Sequence, residues 1–174
     1  MNWEKPPLGQ LKLNVDGTKT KDGLIGAGGI IRDWTGKWIQ GFTHNIGMGD
    51  IIQAEIWGVF NGLKLALDLQ IKNLVVECDS TTAILLINGR DHDLHPFGTL
   101  ITNCQWLMEK FDHCMLYHIY RERNVVADSL AKSSILGATG LHILTEPPTH
   151  IDHMLKDDSA GIGRTRIPSS VCNR

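Results

Sequence analysis

Four acidic residues stand out in this sequence because most of them lie beside or within apolar segments. They are Asp16, Glu55, Asp79 and Asp128. An ionised carboxylate that leaves water loses much hydration energy unless a partner charge or a metal compensates. Carboxylate oxygens are the ligands that hard divalent cations such as Mg²⁺ prefer. The four residues therefore indicate a cation site, provided that the fold brings them together.

Carboxylates that hold two divalent cations can catalyse phosphodiester hydrolysis. Two Mg²⁺ ions roughly 3.5–4 Å apart activate a water molecule and stabilise the leaving oxyanion. Any single acid in a sequence is more often a solvated surface group. The prediction of a catalytic site therefore depends on whether the predicted elements bring the four acids to one place.

The elements that position these acids begin with three strands. Apolar and polar residues alternate over residues 11–16, which is typical of a half-buried strand and places Asp16 on its polar face. Residues 24–32 and 37–44 are predicted to form two more strands, joined by a turn at residues 33–36. Three antiparallel strands are thus predicted to open the domain.

Helices and strands alternate along the rest of the predicted domain. A long apolar helix carries Glu55 inward or at its rim, a short buried strand ends at Asp79, and Asn124 caps a helix that carries Asp128 in its first turn. The predicted order is βββαβααβα. After the first three strands, the elements lie at residues 51–69, 74–79, 80–89, 95–110, 114–121 and 125–136.

Length and composition predict one soluble domain. The chain has 174 residues, 42% of them hydrophobic and 21% charged, with a net charge of -2, and one domain usually takes about 100–200 residues. Nucleic-acid affinity would need a local basic patch and would be salt-sensitive. We divide the chain into a leading segment (residues 1–10), a domain (11–137) and a tail (138–174) that is predicted to be loosely held or partly disordered.

Cysteine spacing and the amino-terminal residues predict an intracellular protein. The four cysteines are widely spaced and form no Cys-x-x-Cys pair, which is typical of reduced thiols. Neither a signal peptide nor a stretch of about 18 apolar residues is visible, so secretion and membrane insertion are not expected. The choice between nucleus and cytoplasm stays open.

The motifs around the acids resemble those of a known family. In order, they are Asn-Val-Asp-Gly-Thr, Ala-Glu-Ile-Trp, Glu-Cys-Asp-Ser and Asn-Val-Val-Ala-Asp-Ser-Leu-Ala, within a span from Trp3 to about Leu136. The sequence resembles a type 1 ribonuclease H domain, and more narrowly the ribonuclease-H-like domain of plant non-LTR retroelement reverse transcriptase polyproteins. The resemblance implies an α/β fold with a mixed five-stranded sheet, ordered 3-2-1-4-5 and flanked by helices.

The resemblance also implies a function. Members of this family are endonucleases that cleave the RNA strand of an RNA/DNA hybrid with two Mg²⁺ ions, for which Mn²⁺ can substitute. Asp16 would bridge both metals, Glu55 and Asp79 would complete one site, and Asp128 would serve the other. The partner would be the hybrid itself, recognised through its 2′-hydroxyls. The chain is expected to act as a monomer or as part of a larger reverse transcriptase polyprotein.

Further polar residues near the acids are candidate substrate contacts. For Gly17 there is an independent reason to expect a substrate contact, because a glycine beside a metal ligand lets a phosphate approach the backbone closely. The alternative is that Gly17 simply turns the chain. Arg121 is a candidate for neutralising a phosphate. The full set is Gly17, Thr18, Gln53, Ser80, Arg121 and Asn124.

The sequence departs from the family pattern at two places. Ile51 and Ile52 stand where cellular members usually carry Asn or Gln, and Gln53 alone could substitute. His118 falls where other members carry a loop histidine, but it lies inside a predicted strand. A structural role is therefore favoured for His118 over a catalytic one.

Two other functions compete with hybrid hydrolysis. A catalytically weak or inactive nucleic-acid-binding domain derived from a retroelement would explain the isoleucines at the start of the helix and the lack of a basic extra helix. A 3′-5′ exonuclease of the same superfold would carry a glutamate two residues after the first aspartate, where this chain has Thr18. The exonuclease therefore ranks lower.

Overall fold

Six strands and five helices make up the computed structural model, which describes residues 1–90 and 92–165. The strands are β1 (Leu11–Lys19), β2 (Leu24–Arg32), β3 (Trp38–Met48), β4 (Asn73–Cys78), β5 (His113–His118) and β6 (Gly140–Leu144). The helices are α1 (Ile51–Asp68), α2 (Thr81–Asn88), α3 (Gly98–Met108), α4 (Val125–Ser134) and α5 (Asp152–Ala160). Within these ranges, no helix has both the length and the apolar character needed to cross a bilayer.

All six strands form one mixed sheet in the order β5-β4-β1-β2-β3-β6. The central strand β1 runs parallel to β4 and antiparallel to β2, while β5 is parallel to β4 and β6 is antiparallel to β3. The predicted order of the first five strands is confirmed. The sheet differs from the prediction by its sixth strand, which extends the edge at β3.

Helices cover both faces of the sheet. The main apolar core lies between the sheet and α1, α2 and α3, and includes Leu13, Val59 and Leu116. On the opposite face, Ile30 packs against Leu130 of α4 in a smaller cluster. Because β1 is central and its Leu13 and Val15 are fully buried, this strand is fixed in the middle of the sheet.

Two glycines bring helices close to the end of β1 that carries Asp16. A methyl group on Gly17 would lie 2.7 Å from the backbone nitrogen of Glu55, and one on Gly28 would overlap the backbone of Ala131. Any larger residue at these positions would push α1 or α4 away from the sheet. The glycines therefore allow both helices to reach the acid cluster.

The expectation of a loosely held tail does not describe residues 138–165. Strand β6 pairs with β3, Ile151 is fully buried, and Asp158 of α5 is buried against Arg32. The sequence signal was weak because β6 has only five residues and because Arg32 lies 126 positions from its partner. Residues 166–174, which the expectation also covered, lie outside the described residues.

Candidate active site

Three of the four predicted acids meet near the carboxyl ends of the central strands β1 and β4. Asp16 lies in β1 and Asp79 directly follows β4, and these strands are parallel neighbours in which Val15 pairs with Cys78. Glu55, from the second turn of α1, lies above both, and the Asp16 carboxyl interacts electrostatically with those of Glu55 and Asp79. The carboxyl ends of parallel strands thus converge, as is common for functional groups in α/β proteins.

Burial sets the electrostatics of these three acids. Asp16 and Glu55 are 4% and 5% exposed, and the Asp79 side chain is 8% exposed. Burial, and then repulsion by Glu55, Asp79 and Asp128, raise the pKa of Asp16 to about 10. Burial and the charge of Asp79 raise the pKa of Glu55 to about 8, and burial also raises the pKa of Asp79. Full ionisation would therefore give the cluster more negative charge than its surroundings balance, and in the absence of a metal the cluster holds protons instead.

Asp128 approaches the same cluster from α4. Its side chain is 29% exposed and forms an ion pair with Lys132, one helical turn later, at 2.8 Å. The negative charge of Asp128 raises the pKa values of both Asp16 and Asp79. All four acids therefore share one electrostatic site, with three in contact and Asp128 at the rim.

The acid cluster has the properties of a site for hard cations. Its donors include carboxylate oxygens, which Mg²⁺ and Mn²⁺ favour. The Asp79 Oδ2 atom is buried and accepts no hydrogen bond, and the guanidinium Nε of Arg121 lies 3.8 Å away on a side chain that is 84% exposed. A buried oxygen without a donor, inside a cluster of repelling acids, is the arrangement that a bound cation relieves.

Comparison with known proteins identifies the family. The model of the family described as reverse transcriptase-like matches residues 14–134, a span that contains all four acids. The chain belongs to this reverse transcriptase-like family. A protein of Arabidopsis thaliana, named as a ribonuclease H protein, is 34% identical over 167 residues, which cover 95% of this chain and 27% of the relative. The chain thus spans about a quarter of that relative's length.

Solved structures show that the fold is ribonuclease-H-like. The N-terminal RNase H domain of a Mycobacterium tuberculosis protein is 25% identical, with a TM-score of 0.68 over 72% of this chain and 93% of that one. An RNase H1 solved in complex with an RNA/DNA hybrid is 19% identical, with a TM-score of 0.62 over 72% and 96% of the two chains. The α/β fold and the resemblance that the sequence predicted are confirmed.

The residues that were predicted to contact the substrate lie near the acids, and they differ in burial and in hydrogen bonding. The backbone N–H of Gly17 donates to Asp16 Oδ1 at 2.9 Å, and Ser80 Oγ accepts the N–H of Ala83 as the cap of α2. Thr18 in β1 and Gln53 in the first turn of α1 are half-buried, and Arg121 is exposed. Their contacts with a substrate stay predictions.

Asn124 and His118 differ from what the sequence indicated. Asn124 holds the N-cap position of α4 but makes no side-chain cap. Its buried amide instead donates to the carbonyl of Val15 at 2.9 Å, which ties α4 to β1 beside Asp16. His118 ends β5 opposite Cys78, as a strand residue, but it is exposed rather than packed in the core.

Stability of the metal-free protein should fall as pH rises from about 5 to 10. Unfolded carboxyls ionise near pH 4, whereas folded Glu55 and Asp16 keep their protons up to about pH 8 and 10. The folded state therefore binds more protons across this interval, so the free energy of unfolding decreases with pH. Thermal melts in EDTA at about pH 5, 7 and 9 measure this slope. A melting temperature that rises over the same range would contradict the assignment.

Proposed function

We propose that this domain hydrolyses the RNA strand of RNA/DNA hybrids with two divalent cations, Mg²⁺ or Mn²⁺. The observation that carries the proposal is the convergence of three buried acids that would repel one another when ionised, with Asp128 at their rim. Repulsion of this kind destabilises a fold unless a cation offsets it. The ribonuclease H names of relatives agree with this reaction class.

Each acid has a separate task in this proposal. Asp16 would contact both cations, Glu55 and Asp79 would hold one of them, and Asp128 would hold the other. Bound divalent cations supply an activated water and stabilise the leaving oxyanion. The thiol of Cys78 donates to Glu55 Oε2 and helps to orient that carboxylate.

Residues around the acids would position the substrate and the strands. Arg121 is an exposed cation beside Asp79 and would neutralise a phosphate of the RNA strand. Gly17, Thr18, Gln53 and Ser80 would contact the hybrid. The fully buried Asn124 acts as a positioning residue through the Val15 carbonyl. With a net charge of -2, the chain would bind the hybrid in a strongly salt-dependent way.

A cleavage assay tests the proposal. End-labelled RNA/DNA hybrid, duplex DNA and duplex RNA are incubated with the protein in Mg²⁺ and then in Mn²⁺. We expect cleavage of the hybrid's RNA strand alone, and a loss of about a thousandfold or more in Asp79→Asn, because losing a metal ligand costs several kcal/mol at about 1.4 kcal/mol per factor of ten. Asp112→Asn, an exposed carboxylate outside the cluster, is the control.

The alternative is a domain that binds nucleic acid without cleaving it. Ile51 favours it, because this apolar residue is 39% exposed at the start of α1, where a polar side chain would be expected to face a substrate. Hybrid binding by a folded protein that cleaves nothing in either metal would establish this alternative.

A further inference from the structure

Cys78 lies beneath the acid cluster, and the proposed hydrolysis does not use its sulfur as a metal ligand. It ends β4, is fully buried, and places Sγ 3.7 Å from Glu55 Oε2. Among residues 1–90 and 92–165, one group of at least three potential ligands is compact enough for a metal, namely Glu55, Cys78 and Asp79, with all ligand atoms within 4.8 Å of one another. The group combines two hard oxygen donors with one soft sulfur donor.

A second observation shows that one oxygen of this group has ligand capacity that no donor among the described residues uses. The Asp79 side chain is more than nine-tenths buried, yet its Oδ2 atom accepts no hydrogen bond. The nearest charged donor, Arg121 Nε, is 3.8 Å away, which is beyond hydrogen-bond distance. A buried carboxylate oxygen normally has a donor or a metal. The orphaned oxygen therefore belongs to the same donor set as the sulfur.

We propose that Glu55, Cys78 and Asp79 form a site for Zn²⁺ or another thiophilic divalent cation. Zinc binds cysteine sulfur and carboxylate oxygen in tetrahedral sites and can keep a water as its fourth ligand. On binding, the sulfur–metal bond replaces the S–H bond and the proton passes to solvent. The backbone N–H of Ser80, 3.4 Å from Sγ, then donates to the thiolate.

Zinc at this position would compete with the hard cations of the hydrolytic site. Zinc would bind Glu55 and Asp79, two of the four acids, together with the sulfur of Cys78. These two acids would then not be free to bind Mg²⁺. Soft ligands select thiophilic metals over Mg²⁺, so micromolar-range competition by zinc is expected even in excess Mg²⁺. This inhibitory consequence rests on the proposed function, whereas zinc binding itself does not.

Cadmium titration tests the site directly. Thiolate bonded to Cd²⁺ gives an ultraviolet charge-transfer band, and the protein should show this band with one Cd²⁺ per chain. Cys78→Ser should abolish the band and weaken zinc binding, measured calorimetrically, by about tenfold or more, while Mg²⁺ binding changes far less. Cys104→Ala is the matched control, because Cys104 is equally buried in the same core and its thiol donates to the Ile56 carbonyl instead.

A single-cysteine protein makes the result unambiguous. Replacing Cys104, Cys114 and Cys172 by alanine leaves Cys78 as the one thiol, and the band should persist. Absence of the band in folded wild-type protein, or its persistence in Cys78→Ser, would overturn the proposal. Thermal melts establish that each variant is folded. If the band appears but the protein does not cleave hybrids in Mg²⁺, the proposed hydrolysis fails and the zinc site stands.

Discussion

Asp16→Asn should abolish hybrid cleavage and, at the same time, stabilise the metal-free protein. The Asp16 carboxyl has a pKa raised to about 10 by burial and by three neighbouring acids. Above pH 4 the folded state must therefore bind a proton that the unfolded chain releases, and this cost grows with pH. An amide is neutral in both states, so the substitution removes the cost.

We expect a gain of about 2 kcal/mol or more at pH 8, which raises the melting temperature of a domain of this size by roughly 4–8 °C. The gain should be small near pH 5, because this pH is only about one unit above the pKa of an unfolded carboxyl, so the free-energy cost of the bound proton is still small. Cleavage should fall by about a thousandfold or more, because the ligand expected to contact both cations is lost. Loss of activity with a gain in stability would separate a catalytic role from a structural one.

Calorimetry in EDTA at the two pH values, together with the cleavage assay in Mg²⁺, checks both parts. Asp22→Asn is the control, since this aspartate is exposed in the turn between β1 and β2 and should change neither quantity. If Asp16→Asn instead lowers the melting temperature at pH 8 as much as at pH 5, the acids do not repel one another as described. Retained cleavage would refute the role of Asp16 as a metal ligand.

Asp158→Asn should destabilise the fold more than any substitution at the surface. Asp158 of α5 accepts a hydrogen bond from Arg32 Nη1 at 2.8 Å and another from Arg164 Nη1 at 2.7 Å. Arg32 is fully buried, lies 3.6 Å from the ring centroid of Trp3, and donates to Asn14 Oδ1 at 3.2 Å. Burial lowers the pKa of Arg32, and Asp158 is the main group that opposes this effect.

Removing one partner of a buried ion pair typically costs about 3–5 kcal/mol, since it leaves an uncompensated charge. For this domain that corresponds to a loss of roughly 6–20 °C in melting temperature. Because Asn14 lies two residues before Asp16 in β1, the network also supports the strand that carries the central acid. Urea denaturation of the full chain measures the free energy of unfolding, and the slope m shows whether the unfolded reference has changed.

The neighbouring acid provides the matched control. Asp157 is 40% exposed and lies 3.9 Å from Arg164, so Asp157→Asn should change the free energy of unfolding by about 0.5 kcal/mol or less. A chain ending at residue 137 should be destabilised at least as much as Asp158→Asn, because it lacks β6 and α5 as well. Equal effects of Asp157→Asn and Asp158→Asn would show that the buried pair does not stabilise the fold.

The sequence by itself determined the elements up to α4 and singled out the four acids. Alternating and helical apolar periods are local, so the first residues of β1, β2 and α1 follow from them. The order of the first five strands and the family followed from motifs that occur within short segments. Such signals need no knowledge of which distant residues meet.

Only the tertiary structure decided how those residues interact. The raised pKa values of Asp16 and Glu55 require burial and mutual contact, which arise from the pairing of parallel strands and from the close approach of α1 at Gly17. Likewise, the position of Cys78 beneath the acids depends on which face of β4 turns towards α1. The Arg32–Asp158 pair joins residues 126 positions apart and fixes a span that appeared unstructured. Contacts between distant residues leave no periodic trace in the sequence, and burial and charge balance depend on them.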